Sequence, residues 1–271
     1  MLQILAAGIG RPLAVILAAI SMLALPLHAR AQAGPPFLSN DPGTPGNTNW
    51  EINLAVAPSL TRDGGVYQIP QIDLNYGLGD RIQLTYEIPY VISTASGESH
   101  QSGWSNSFAG VKWRFLDQGD DGWRASAFPQ IEFAGTLRAQ ALGIAGPGPR
   151  YLLPLEVTKK LGSVDVDFEV GEYFPGRGPH ERILGLVAGR QITPRLDLDV
   201  ELYDDRASGA LPRETTLDIG GRYKLRPGII ALFMAGRSIG TGGADATQFF
   251  GYFGVQILLT DYGLKLNRAE D

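Results

Sequence analysis

The stretch DRIQLTYEIPYVI (Asp80–Ile92) alternates without a slip. Ile82, Leu84, Tyr86, Ile88, Tyr90 and Ile92 share one parity; Arg81, Gln83, Thr85, Glu87 and Pro89 share the other, and Val91 ends the pattern. A strand built this way has one apolar and one polar face. In a soluble protein the apolar face turns to a core; in an outer-membrane barrel it turns to lipid. The reading of the chain depends on which of these holds.

Outward from this stretch the same grammar repeats. From Asn49 onward twelve alternating segments can be counted, at about 49–58, 66–76, 81–92, 104–116, 123–134, 150–161, 164–174, 182–192, 196–204, 214–225, 229–239 and 248–260. The registers of 182–192 and 229–239 are not fixed by their pattern. No sustained helical periodicity and no repeat appears after residue 34. The links after the second, fourth, sixth, eighth and tenth segments are short (GLGD, DQGDDG, GS, TPR, RPG). Most on the opposite side are longer, as in STASGESHQSG and TLRAQALGIAGPGPR. Tight turns at one end and loops at the other are the asymmetry of outer-membrane barrels, and an even strand count puts both termini at the tight-turn end, the periplasmic side. Residues 34–48, rich in proline and glycine, are expected to be an irregular periplasmic or plug segment, 49–260 the barrel and 261–271 a frayed tail.

The first residues point the same way. Arg11 precedes an apolar run, Pro12–Leu27, and Ala29-Arg30-Ala31 or Ala31-Gln32-Ala33 offers a small-x-small cleavage site. Residues 1–33 therefore read as a signal peptide. Its removal takes Lys+Arg from 23 to 21 against 28 acidic residues, a net charge near −7 that gives no reason to expect a nucleic-acid partner. There is no cysteine, so no disulfide holds the exported chain. No later apolar run reaches the ~18 residues of a membrane helix, so a membrane-embedded chain would have to be a closed barrel.

Aromatic positions favour lipid over core. Trp50, Tyr76, Trp113, Phe115, Trp123 and Tyr223 share the apolar parity near the tight turns, and Tyr90, Phe133 and Tyr151 lie near the loops. Two girdles are expected where a barrel meets headgroups. Ile82, Leu84, Tyr86 and Ile88 are thus assigned to the lipid face. The last segment, with Tyr252-x-Gly254-x-x-Ile257-x-Leu259, resembles the terminal signal read by the outer-membrane assembly machinery.

The polar parity then supplies a lumen. Its acids include Glu51, Asp73, Glu87, Glu132, Glu156, Glu169 and Glu201. A candidate charge cluster near the tight turns comprises Arg81, Lys112, Arg114, Arg124, Lys160, Arg222 and Lys224, with Asp165, Asp167, Asp197, Asp199 and Asp218 as expected partners. Lys112, Arg114 and Arg124 are expected to form one basic patch. Such a cluster could filter solutes as charged rings do in channels; mixed charges at one level also pair, and a rigid brace is the reading favoured here. No cofactor or metal site is expected. Catalysis has one opening, His100 beside Ser99 or Ser102, which a lipid hydrolase would need in the wall rather than a loop.

Several stretches resemble the family described as the MetA-pathway of phenol degradation, outer-membrane transporters: GPPFLSNDPGTPGNTNWEINL (34–54), DLNYGLGDRIQLTYEIPY (73–90), FAGVKWRFL (108–116), ITPRLDLDVELY (192–203) and FFGYFGVQI (249–257). The resemblance implies an all-β transmembrane barrel in the outer membrane of a Gram-negative bacterium, passing small, aromatic or hydrophobic, organic solutes. It carries over no binding residue. A non-conducting structural or surface-interaction barrel is the alternative. Oligomeric state, solute and direction of transport are not legible.

Overall fold

The computed structural model describes residues 34–95, 99–176, 179–207, 214–240, 246–260 and 263–264. The expected signal peptide, most of the tail and parts of four loops lie outside the described residues. The strands in chain order are β1 (Trp50–Leu60), β2 (Gly64–Leu78), β3 (Ile82–Ala95), β4 (Gln101–Trp104), β5 (Ser107–Asp117), β6 (Trp123–Ala127), β7 (Gln130–Phe133), β8 (Arg150–Leu161), β9 (Val164–Pro175), β10 (Glu181–Thr193), β11 (Leu196–Ala207), β12 (Glu214–Arg226), β13 (Ile229–Ser238), β14 (Phe249–Thr260) and β15 (Gly263–Leu264). One short helix, α1 (Leu137–Ala141), lies between β7 and β8.

The alternating segments become twelve staves of one closed antiparallel barrel. β4 and β5 together form the fourth stave and β6 and β7 the fifth; each neighbour pairs with the next, and β14 closes on β1 through pairs such as Trp50↔Leu259 and Val56↔Phe253. β15 adds a single short pairing to the end of β14. Closure leaves no edge strand with unpaired backbone groups, the condition for a β-structure in an apolar solvent. The fifth stave breaks at Phe128-Pro129, where proline has no N–H to donate to a ladder. The tight turns form because glycine supplies positive φ where they need it: Gly162 (+65°) in the Gly162-Ser163 hairpin and Gly228 (+73°) after Pro227.

The faces settle the question posed by Asp80–Ile92. Leu84 is 40 % exposed while Gln83 is 9 % exposed. Around the barrel the outer parity carries Val111, Leu153, Leu155, Phe168, Leu186, Leu202, Ile219 and Phe253, all exposed, whereas Glu156, Glu169 and Glu201, at most 1 % exposed, are among the most enclosed side chains. Apolar residues point out and carboxylates point in, the reverse of a soluble core. Trp50 stacks on Tyr76 (4.9 Å) and Trp113 on Phe115 (5.7 Å) near the turns, and Tyr90 meets Trp104 (5.3 Å) near the loops.

The two registers that sequence left open are now fixed. Arg190 is buried, and Arg237 is exposed. β13 hides its pattern because both of its faces are apolar: Leu232 and Met234 point into the barrel, where they meet Phe37. The helix is unforeseen. Thr136 caps it by accepting from the N–H of Ala139, and Ala139 and Ile144 pack on Val91 of the inner wall. Residues 134–149 thereby fold back into the loop-end mouth.

Candidate functional site

The lumen is occupied by residues 34–48, which have turns and bends but no regular element. Their backbone groups need partners once out of water, and the inner wall provides them. The Glu201 carboxylate accepts the N–H groups of Leu38 (2.9 Å) and Ser39 (2.7 Å), and Glu169 accepts that of Asn40 (3.1 Å). Arg222 donates to the carbonyls of Gly34 (3.1 Å) and Pro35 (2.7 Å), and Lys112 to that of Asp41. Phe37 enters an apolar patch formed by Ala55, Leu232, Met234, Phe250 and Tyr252. Near the tight-turn rim, Thr48 donates its N–H to Gly77 (2.9 Å) and Gly77 donates to Asn49 (2.9 Å).

Two glycines make room for this segment. A Cβ on Gly185 would lie 1.9 Å from Ser39 Oγ, and one on Gly77 would lie 1.8 Å from the Gly46 carbonyl oxygen. Both approaches require the absence of a side chain. Neither glycine was singled out from sequence; the signal available was a glycine on the lumen parity inside a strand, which also fits a bulge.

The charge cluster expected near the turns divides into two sets. Lys112 and Arg222 lie deeper, bound to the inserted segment, with the Lys112 ammonium 3.4 Å from Glu156. Lys112 is about 16 Å along its strand from the strand's turn end, so it is not part of a turn-proximal ring. The rim set is tied to the turns themselves: Arg114 to Asp117 (3.2 Å) and to the Asp80 carbonyl (2.6 Å), Lys160 to Asp121 (3.2 Å), and Lys224 to Asp197 (4.0 Å). Arg124 is half-buried and in register with Asp117. Lys112 and Arg114 therefore turn to different acceptors rather than sharing one patch. Arg81 is exposed in the turn rather than in the lumen. Asp165, Asp167, Asp199 and Asp218 are buried on the inner wall as expected, with Asp167 accepting from Thr158. Asp197 pairs with an expected base, Lys224, at the distance above.

On the β1–β3 side the wall is braced by side-chain amides. Asn53 and Asn75 donate to Asp73 (2.8 and 2.9 Å), Gln83 and Thr85 to Asn75 (2.8 and 2.6 Å), and Gln71 to Glu87 (2.7 Å). Between this wall and the inserted segment lies a cavity of about 520 Å³. Its lining runs from Asn75, Gln83 and Gln256 toward the turns to Ser59, Glu214 and Thr247 at the loops. A smaller cavity of about 130 Å³ beside Arg150 and Tyr173 adjoins it; Leu38 and Asn40 line both.

Among the described residues no hydrogen bond joins His100 to Ser99 or Ser102. Ser102 Oγ accepts from the Tyr90 hydroxyl (3.2 Å) and Ser99 Oγ from Gln101 (3.2 Å), all at the loop end. His180 sits 2.9 Å from Glu172 on the exposed rim. Among the described residues no group of three or more His, Cys, Asp or Glu side chains is placed to hold a metal ion.

The architecture has known counterparts. The chain is similar to the crystal structure of an outer membrane channel from Pseudomonas putida F1, at 15 % identity and a TM-score of 0.59, over 84 % of this chain and 100 % of that one. It is similar to the NanC porin (10 %, TM-score 0.55, 76 % and 98 % of the two chains). A third likeness is to the KdgM porin, solved with disordered oligogalacturonate (12 %, TM-score 0.53, 76 % and 98 %). No protein-family model and no curated protein matches the sequence. Identities this low speak to the fold alone: the chain has the twelve-stranded barrel architecture of outer-membrane channels and porins.

Proposed function

We propose that this chain is an outer-membrane channel through which small organic solutes pass beside a resident N-terminal segment. The observation that carries the reading is the cavity whose lining spans the wall from tight turns to loops. The apolar outer belt between two aromatic girdles supports a place in a bilayer, and the reversed packing leaves no other solvent for that surface. The likeness to solved channels and porins supports conduction as the task of the fold. The apolar run and small-residue site before residue 34 support export by a cleaved signal peptide, with tight turns in the periplasm. The resemblance to the phenol-degradation transporters is what favours aromatic or hydrophobic solutes. The buried acids argue against the kind of polyanion found with KdgM, since like charges in a desolvated lumen repel.

A second reading has its own support. The inserted segment is held by at least six hydrogen bonds to charged side chains, as a permanent brace would be. Planar-bilayer recording of the mature chain, with and without residues 34–44, separates the two. A channel conducts when intact and conducts more after the deletion. A structural barrel shows no steps when intact.

A further inference from the structure

We infer that the cavity selects organic cations: solutes with a positively charged nitrogen on a compact aromatic or aliphatic body. The inference rests on the channel reading and names the solute class of that same passage. Six carboxylates line the cavity, Asp41, Glu51, Asp73, Glu87, Asp205 and Glu214, against two bases, Lys112 and Arg222. Both bases are engaged elsewhere, Lys112 with Glu156 and the Asp41 carbonyl and Arg222 with the inserted segment's carbonyls.

Five of the acids, by contrast, accept from neutral donors. Glu51 accepts from Asn53 (3.2 Å), Asp73 from Asn53 and Asn75, Glu87 from Gln71, Asp41 from the Gly43 N–H (2.6 Å) and Glu214 from the Thr247 N–H (2.9 Å). Among the described residues none of the six makes an ion pair within 4.0 Å. Six carboxylates against two bases leave the lining with an excess of negative charge that a cationic solute can offset. Hydrogen-bonding capacity is also unspent. Thr216, 7 % exposed and part of the lining, has no partner for its hydroxyl, and Asp73 keeps one carboxylate oxygen unbonded. The remaining surface suits the rest of such a molecule: Phe37, Phe108, Phe250 and Tyr252 line the same space and supply aromatic surface beside the acids.

The test uses the mature protein in phosphatidylcholine–phosphatidylethanolamine vesicles, with benzyltrimethylammonium and benzenesulfonate as probes of opposite permanent charge and similar size. The cation is expected to enter at least about tenfold faster than the anion, because each uncompensated carboxylate within several ångströms attracts it by more than ~1 kcal/mol. Glu87→Gln, and separately the double change Asp205→Asn with Glu214→Gln, keep the acceptor geometry and are expected to cut that ratio at least about threefold. Two changes on different strands of the lining guard against misfolding of either. Equal rates, a faster anion, or a ratio unmoved by both variants overturns the inference while leaving protein-dependent flux, and so the channel reading, intact. If neither probe nor potassium chloride enters faster than in protein-free vesicles, the channel reading fails and this inference with it.

Discussion

The two halves of the lumen handle the same problem differently. On the β1–β3 side, lumen carboxylates accept from side-chain amides of the strands, so Asp73 and Glu87 are held by the wall itself. On the β8–β12 side, Glu169 and Glu201 accept from backbone N–H groups of residues 38–40, which belong to no strand. One half is braced in place; the other is complete only while the inserted segment stays. The difference teaches that a lumen rich in acids need not be a filter. Whether its charges face solute or protein depends on what the chain threads past them.

The strongest way to break this contrast is at Lys112, a cation that joins the inserted segment to the wall. Lys112→Met leaves Glu156 enclosed without a positive partner, and a buried pair broken on one side costs about 3–5 kcal/mol. A fall of that size in unfolding free energy, measured by urea titration in lipid vesicles, is the expected result; a fall below ~1 kcal/mol would show that the pair is not desolvated as described.

Next is Gly185→Val. The new side chain occupies the position of Ser39 Oγ, so the segment is expected to leave the wall at a cost of about 2–3 kcal/mol, comparable to overpacking a core. Residues 34–44 should become cleavable by added protease, and single-channel conductance should rise, while the barrel itself stays folded. Asn75→Ala probes the opposite half. It removes a donor to Asp73 and the acceptor of Gln83 and Thr85, for an expected loss of about 1–3 kcal/mol. Protease resistance of residues 34–44 should be unchanged, which is the sharpest statement of the contrast. The smallest effect belongs to Arg81→Gln. The side chain is exposed in a turn, and its replacement should change stability by less than ~0.5 kcal/mol and leave ion selectivity as it was.

Alternation made the strands legible, because a period of two survives any arrangement of neighbours. The stretches read at 81–92, 150–161 and 196–204 reappear as β3, β8 and β11 with the assigned faces. Where both faces are apolar, as in β13, the period vanishes, and the lumen-facing Leu232 and Met234 could not be told from their outward neighbours. Arg81 misled because parity was carried one residue past the strand, into a turn where it has no meaning. The turn-proximal charge ring misled for another reason. Parity gives the face of a residue but not its height or its partner, and Lys112 and Arg222 took partners from a segment with no period at all.

The sequence by itself determined that this chain makes β-strands, that they are long enough and numerous enough to close, and, wherever the two faces differ in polarity, which side meets which surroundings. These are local properties of composition, turn chemistry and period. Only the tertiary structure decided what fills the barrel. Residues 34–48 carry no regular hydrogen-bonding pattern of their own, so their position follows from distant groups: a carboxylate 162 residues away for Ser39, an apolar patch for Phe37 and two missing side chains, at Gly77 and Gly185, that leave the room.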